Sequence, residues 1–194
     1  MTNHTDQTII AAIRDANPTR HFGNLGRRII KLQEELGEHA EAYLNVTSVG
    51  NGKGKTWDDV REESADILIV AVDVALTPVG EQAESDTAES LGRRVDIMRY
   101  SVPRVFGNYE RMTLRVAQHL GTLTKTFMDD AMTWEKAPMA YMVASAMDLA
   151  MTPLPDQADW SKQQLIEQLA DTVNTKLAKW RNNRDTGVSA TDAE

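Results

Sequence analysis

A repeated segment constrains the fold of this chain more than any other feature of its sequence. Residues 20–37 match residues 104–121 at an offset of 84, with seven identities in 18 positions. Farther along, residues 71–78 match residues 146–153 at an offset of 75. The second copy is therefore nine residues shorter between its two matched segments. A sequence with this pattern is expected to form two related structural units.

The spacing of apolar residues predicts helices in the first unit. Residues 24–44 are expected to form an amphipathic helix, because apolar side chains recur there at steps of three and four. These side chains are Ile29, Leu32, Leu36, Ala40 and Tyr43. Residues 59–76 are apolar on nearly all faces beyond Ala65, and Pro78 ends the run. That length favours a buried helix, since a buried strand, the alternative, is shorter than about ten residues.

The rest of the chain completes an all-α prediction. Further helices are expected near residues 108–130, 134–151 and 159–182, with a loop at residues 47–56 and a linker at residues 79–92. The predicted organisation has a first unit at residues 1–84 that carries the acidic residues. A second unit with the C-terminal helix follows at residues 85–184, and residues 185–194 form a disordered tail.

The charge of the chain is concentrated in two short segments. The 194 residues carry a net charge of −8, and residues 33–42 and 58–66 each contribute −4. Because the remainder sums to zero, the basic surface needed to bind nucleic acid is not expected. The longest apolar run, residues 67–72, is far below the about 18–20 residues of a membrane span, and the chain has no Cys. These features favour a cytoplasmic protein without a membrane partner.

Two pairs of carboxylates fall at helical spacing in those acidic segments. Glu35 and Glu38 are three residues apart on the first predicted helix, and Glu63 and Asp66 are three apart on the second. Each pair therefore projects from one side of its helix. A carboxylate on a buried helix must be protonated or find a cation. Two facing pairs would supply only oxygen ligands, which suit hard cations such as Mg²⁺ or Mn²⁺.

The acidic residues have two alternative interpretations. Acids near helix ends commonly act as solvated caps, and that role is expected for Glu41, Asp58, Asp59 and Glu62. A di-iron bundle is disfavoured, because it requires His three residues after Glu, whereas His39 is four residues after Glu35.

The acidic motif resembles a known signature. Lys-Leu-Gln-Glu-Glu-Leu-Gly-Glu at residues 31–38, then 24 residues, then Glu-Ser-Ala-Asp at residues 63–66 is similar to the ExxE…ExxD signature of the all-alpha nucleoside triphosphate pyrophosphohydrolases, specifically the MazG-like group. The resemblance covers residues 24–78. It implies a four-helix-bundle-type MazG-like fold, built here from an internal helix-loop-helix duplication.

The resemblance also implies a reaction and its cofactor. A nucleoside or deoxynucleoside triphosphate would be cleaved between the α- and β-phosphates, giving monophosphate and pyrophosphate. Glu35, Glu38, Glu63 and Asp66 would bind two or more Mg²⁺ ions, and Glu34 would assist a further ion or the attacking water. Shorter relatives form dimers of dimers, so a tandem chain is expected to be a homodimer with the same four-unit arrangement, with a monomer as the alternative. A dUTPase-type hydrolase of the same superfamily and a non-catalytic helical nucleotide-binding or interaction protein are the alternatives.

Three lysines are candidates for contacts to phosphate. Lys31 lies one helical turn before Glu35, and Lys53 and Lys55 lie in the glycine-containing loop. That loop is not a Walker A motif, because GxxxxGKT would require Gly at Val49. Each lysine is alternatively an ordinary surface side chain.

The second copy of the repeat lacks the acidic residues. Glu34, Glu35 and Glu38 correspond to Gln118, His119 and Thr122, while Glu63 and Asp66 correspond to Pro138 and Tyr141. The second copy is therefore expected to complete the bundle without binding metal. Asp73 is matched by Asp148 in the copy without the acids, which favours a structural role for both.

Overall fold

Helices account for all the regular secondary structure of the described residues. In the computed structural model these are residues 5–16, 24–48, 52–77, 87–101, 109–129 and 136–185. The helices are α1 (Asp6–Ala16), α2 (Leu25–Thr47), α3 (Trp57–Leu76), α4 (Ala88–Ser101), α5 (Tyr109–Met128), α6 (Lys136–Ala150) and α7 (Lys162–Asp185), with a short 3-10 turn at Pro155–Gln157. The predicted all-α class is confirmed. Of the predicted tail at residues 185–194, Asp185 is the last residue of α7, and residues 186–194 lie outside the described residues.

Four of the helices form the centre of the molecule. α2 packs on α3, α3 on α6, α6 on α5, and α5 on α2, so the four helices close a ring of contacts. α3 also contacts α1, α4 and α7. Its residues from Ser64 to Ala75 are all buried, as the apolar sequence requires. The helix predicted over residues 59–76 is confirmed, and the strand alternative is wrong.

α3 begins where its sequence supplies a cap. Thr56 accepts a hydrogen bond from the backbone N–H of Asp59 at 3.3 Å, and the Asp59 carboxylate accepts one from the backbone N–H of Thr56 at 2.7 Å. This reciprocal capping box satisfies two helix-terminal donors and fixes the first turn of α3. Glu63 and Asp66, about two and three turns further on, are thereby held in a defined position relative to the loop.

The two helices of each matched segment pair run antiparallel. Arg28 of α2 pairs with Asp73 of α3, and His39 of α2 lies 3.1 Å from Ser64 of α3. In the second half, the Tyr109 hydroxyl of α5 donates to the Thr152 carbonyl beyond the end of α6 at 2.6 Å. Both halves thus contain an antiparallel helix pair in the same chain order.

The aspartates matched by the repeat both form ion pairs. Asp73 lies 2.5 Å from Arg28 of α2, and Asp148 lies 2.7 Å from Arg99 of α4. Arg99 is buried and also pairs with Asp6 of α1. A buried guanidinium with two carboxylates ties three helices together. These contacts support the structural role expected for the two aspartates.

α1 and α4 were not predicted from the sequence. Residues 79–92 were expected to be a linker, but α4 begins at Ala88; residues 78–86 are not described. Gly92 favoured the loop prediction, yet it serves a close helix contact. A Cβ at Gly92 would lie 2.9 Å from Cγ of Gln7 on α1, so the missing side chain lets α1 and α4 approach. None of the described helices has both the length and the hydropathy of a membrane span.

Candidate metal centre

Three of the four predicted ligands meet between α2 and α3. Glu35, Glu63 and Asp66 each place a carboxylate oxygen within 4.8 Å of the other two. Glu35 is only 2% exposed and Asp66 only 5%, whereas Glu63 is half-buried. These three residues, the acidic cluster below, are the one group among the described residues with the composition and spacing of a metal site.

The remaining predicted acids border the acidic cluster. Glu38 is exposed, but its negative charge contributes to raising the pKa of Glu35, Glu63 and Asp66, so it lies within electrostatic range of all three. Glu34 is also exposed and lies 2.9 Å from the ammonium group of Lys31. The fourth predicted ligand therefore stands at the solvent side of the cluster, and Glu34 stands farther out.

Burial and mutual repulsion raise the pKa of each carboxyl in the acidic cluster. For Glu35 the largest cause is burial, followed by the charge of Asp66; Lys31 opposes both. Burial is also the largest cause for Asp66 and for Glu63, and Lys176 opposes it in both. Ionised carboxylates are therefore costly here, and a cation that neutralises them would be strongly favoured.

Two lysines supply the positive charge within the protein. The Lys31 ammonium lies 2.8 Å from Glu35, one turn away on α2. The Lys176 ammonium, on α7, lies 2.6 Å from Asp66 and 3.2 Å from Glu62. Burial lowers the pKa of both lysines, but the neighbouring carboxylates outweigh it, and both pKa values lie above the usual range. Both side chains are therefore charged at neutral pH.

One oxygen of the acidic cluster has no partner. Oδ1 of Asp66 is buried and accepts no hydrogen bond from any described residue, while Oδ2 is bound by Lys176. An unpaired buried carboxylate oxygen is costly, and a site of oxygen ligands with excess negative charge fits a hard divalent cation. The residues present therefore fit the Mg²⁺ or Mn²⁺ that the sequence predicts.

The loop lysines form ion pairs with acids outside the acidic cluster. Lys53 pairs with Glu41, and Lys55 lies 3.7 Å from Asp59. The charge of Lys55 nevertheless opposes the rise in the pKa of Glu63, so its ammonium group lies within electrostatic range of the cluster. The end of the loop is anchored by Trp57, whose ring lies 6.2 Å from Tyr43 and 5.9 Å from Tyr109.

A buried histidine lies one turn from the acidic cluster. His39 is fully buried, with its ring nitrogens 3.1 Å from Oγ of Ser64 and 3.0 Å from Oγ1 of Thr113. These contacts join α2 to α3 and α5. Burial lowers the pKa of His39 to about 4, so the ring is neutral at neutral pH. His39 therefore acts as a polar link within the core and not as part of the acidic cluster.

The matching positions of the second half contain rings in place of carboxylates. His119 of α5 and Tyr141 of α6, which the repeat offsets match to Glu35 and Asp66, stack with ring centroids 5.7 Å apart and planes inclined by 8°. An aromatic stack provides no set of oxygen ligands for a divalent cation.

The sequence did not indicate the part that α7 takes in this site. Lys176 is 110 residues from Asp66 in the chain. The sequence predicted a C-terminal helix there but no role for this lysine in the site. Its position between the apolar residues Val173 and Leu177 is the one available signal, since it places the lysine beside the buried face.

No protein-family model, curated protein or solved structure matches the chain.

Proposed function

We propose that the protein is a Mg²⁺-dependent pyrophosphohydrolase of nucleoside or deoxynucleoside triphosphates, of the MazG-like type. The observation that supports this most is the convergence of Glu35, Glu63 and Asp66 within 4.8 Å, at the spacing of the ExxE…ExxD signature. The unpartnered Oδ1 of Asp66 supports a cation at the same place.

The residues divide into three roles under this proposal. Glu35, Glu63 and Asp66 hold the metal from inside the bundle, and Glu38 completes the site from the solvent side. In this site a Mg²⁺ ion would neutralise phosphate charge and would make a bound water molecule more acidic, which is the chemistry that attack on the α-phosphate needs. Glu34, exposed at the edge, accepts a proton or assists a further ion.

Lysines would bind the phosphates that the metal does not neutralise. Lys53 and Lys55 are on a loop above α3 and pair with exposed or half-exposed carboxylates, so these pairs are weak and can exchange for a ligand. Lys31 forms ion pairs with Glu34 and Glu35, so its charge offsets part of the negative charge that α2 brings to the site.

A non-catalytic helical protein is the second candidate, and one observation favours it. Lys31 and Lys176 already neutralise part of the acidic cluster, as they would in a purely structural ion-pair network. The unpartnered Asp66 oxygen does not decide between the two, since Oδ1 of Asp6 in the structural Arg99 network also lacks a partner. The excess of acids over lysines weighs against the structural network, because Glu35, Glu63, Asp66 and the nearby Glu38 face only Lys31 and Lys176. A dUTPase-type activity, the alternative within the same superfamily, would appear as a preference for dUTP among the nucleotides.

The test measures pyrophosphate release from a panel of nucleoside and deoxynucleoside triphosphates, including dUTP, with Mg²⁺ present. The wild-type protein is expected to release pyrophosphate from at least one, and Glu38→Ala to lose most of that activity. Glu38 is exposed, so its substitution should leave the fold intact. Glu167→Gln is the control and should stay active, because Glu167 is an exposed acid of α7 that contacts Gln163 and neither the cluster nor a loop lysine.

Two results would contradict the proposal. Absence of turnover with every nucleotide would favour the non-catalytic protein. Equal turnover by wild type and Glu38→Ala would show that the reaction does not use this site.

A further inference from the structure

The site contains a cation donated by a helix that the acidic motif does not include. Lys176 of α7 crosses to α3 and lies 2.6 Å from Oδ2 of Asp66. Its side chain is only 13% exposed, so the ion pair is largely withdrawn from solvent. A charge-assisted contact in this setting is strong and fixes the place of the ammonium group beside the acidic cluster.

The charge supplied by the lysines falls short of what the acidic cluster carries when all three of its carboxyl groups are ionised, as metal binding requires. Lys31 and Lys176 bring two positive charges to three carboxylates, and Glu38 adds a further negative charge nearby. An ammonium group is also a point donor that binds one oxygen of Asp66 and leaves the other without a partner. A divalent cation carries twice the charge of the Lys176 ammonium group and can contact several carboxylate oxygens at once. It would therefore neutralise the cluster better than Lys176 does.

Lys31 and Lys176 differ in how easily each ammonium group can separate from its carboxylate in the acidic cluster. Lys31 is on the same helix as Glu35, at i and i+4, so the geometry of α2 keeps them together. Lys176 belongs to a separate helix, and Glu62 at 3.2 Å offers it a second carboxylate outside the cluster. Losing Asp66 would therefore not leave Lys176 without a partner.

We propose that Lys176 is an exchangeable counter-cation of the metal site, bound to Asp66 when the site holds no metal and released to the phosphate of the ligand when a divalent cation binds. This inference rests on the proposed function for the identity of the ligand. Its first half, competition between Lys176 and the metal for Asp66, concerns metal binding alone.

The first test measures Mn²⁺ binding without nucleotide, by the electron paramagnetic resonance of free Mn²⁺. Lys176→Met is expected to bind Mn²⁺ at least about fivefold more tightly than wild type, because the competing charge is removed. Lys179→Met is the matched control, since Lys179 contacts Glu62 but not Asp66. Its affinity should stay within about twofold of wild type. Equal or weaker binding by Lys176→Met would overturn the proposal.

The second test uses the wild-type chain, so it does not depend on the folding of a variant. Lysine labelling by an amine-reactive reagent is followed peptide by peptide with mass spectrometry. Mg²⁺ should increase labelling of Lys176 at least about threefold over KCl of equal ionic strength. Adding a non-hydrolysable triphosphate analogue should then reduce it again. Unchanged labelling on adding Mg²⁺ would overturn the proposal.

The two proposals fail in different ways. Tighter Mn²⁺ binding by Lys176→Met without hydrolysis of any nucleotide would support the exchange and contradict the enzyme. Hydrolysis with no change in Mn²⁺ affinity would support the enzyme and contradict the exchange. If Lys176 contacts a phosphate of the bound nucleotide, Lys176→Met should also raise KM more than it lowers kcat. Lys176→Arg, which keeps the positive charge, should restore part of the lost kcat/KM.

Discussion

His119 stacks on Tyr141 at the positions that the repeat matches to Glu35 and Asp66. The same helix-to-helix register therefore holds a carboxylate pair in one half and a ring pair in the other. Rings in contact stabilise the packing of α5 on α6, whereas carboxylates in contact require a cation. The two halves share a helix arrangement but differ in what it can bind.

This difference predicts that the ring pair serves stability and not metal binding. His119→Ala is expected to lower the free energy of unfolding by about 1 kcal/mol through loss of the stack. Its Mn²⁺ affinity should equal that of the wild type, whereas Glu35→Ala should lose Mn²⁺ binding. Urea unfolding and Mn²⁺ titration of the two variants check this. Loss of Mn²⁺ binding in His119→Ala would place a ligand in the second half.

Divalent metal is expected to stabilise the folded chain. A ligand that binds only the folded state raises stability by about 2.7 kcal/mol at 100 times its Kd, or roughly 5–10 °C in Tm. Thermal unfolding with Mg²⁺ or Mn²⁺, against NaCl of equal ionic strength, measures the effect. Glu35→Gln removes a buried ligand while keeping its shape, and should abolish the shift. A shift that survives this substitution would mean that the metal binds elsewhere.

Burial of His39 predicts an acid-sensitive fold. Its pKa is depressed from 6.5 to about 4 in the folded chain, so below pH 6.5 the unfolded chain binds a proton that the folded chain resists. The free energy of unfolding therefore falls as the pH falls from 6.5 to 4, by on the order of 3 kcal/mol from this residue. Urea unfolding across this range, compared with His39→Gln, isolates the effect. The variant should show a shallower pH dependence; identical slopes would contradict the burial of a neutral ring.

The loop lysines are expected to affect binding of the nucleotide more than its turnover. Lys53→Ala and Lys55→Ala each remove one charge that pairs with an exposed or half-exposed carboxylate in the free protein. If they move to the triphosphate, KM should rise by about fivefold per lysine with kcat little changed. Steady-state kinetics of each variant at fixed ionic strength supply the measurement. An unchanged KM in both would leave the loop without a role in substrate binding.

The first unit is not expected to be stable alone. A fragment of residues 1–84 contains the whole acidic cluster but exposes the face of α3 that α6 and α7 cover. It also lacks Thr113, which contacts His39, and Lys176, which binds Asp66. The fragment should be insoluble, or any soluble part should elute as larger oligomers in size-exclusion chromatography with light scattering. A stable, active, monomeric fragment would contradict this prediction.

The sequence anticipated the parts of the structure that depend on local pattern. Helical spacing located α2, α3, α5, α6 and α7, and the three-residue spacing of the acids placed Glu35, Glu63 and Asp66 together. Local pattern did not reveal α4, because Gly92 is a loop signal unless the close approach of Gln7 is known. Lys176 was missed for a related reason: only the tertiary packing of α7 on α3 brings it to Asp66.

The shorter second half shows where the architecture accepts length changes. At the repeat offsets, Thr47 and Trp57 match positions 131 and 132, but α5 ends at Met128 and α6 begins at Lys136. The second hairpin is thus trimmed at its tip, while its paired residues nearer the base keep their register. Insertions and deletions at the tip leave side-chain pairing intact, whereas one inserted residue within α2 would rotate Glu35 away from Asp66 by about 100°. The tip of the second hairpin is therefore a place where the length of the chain can change without disturbing how its helices pair.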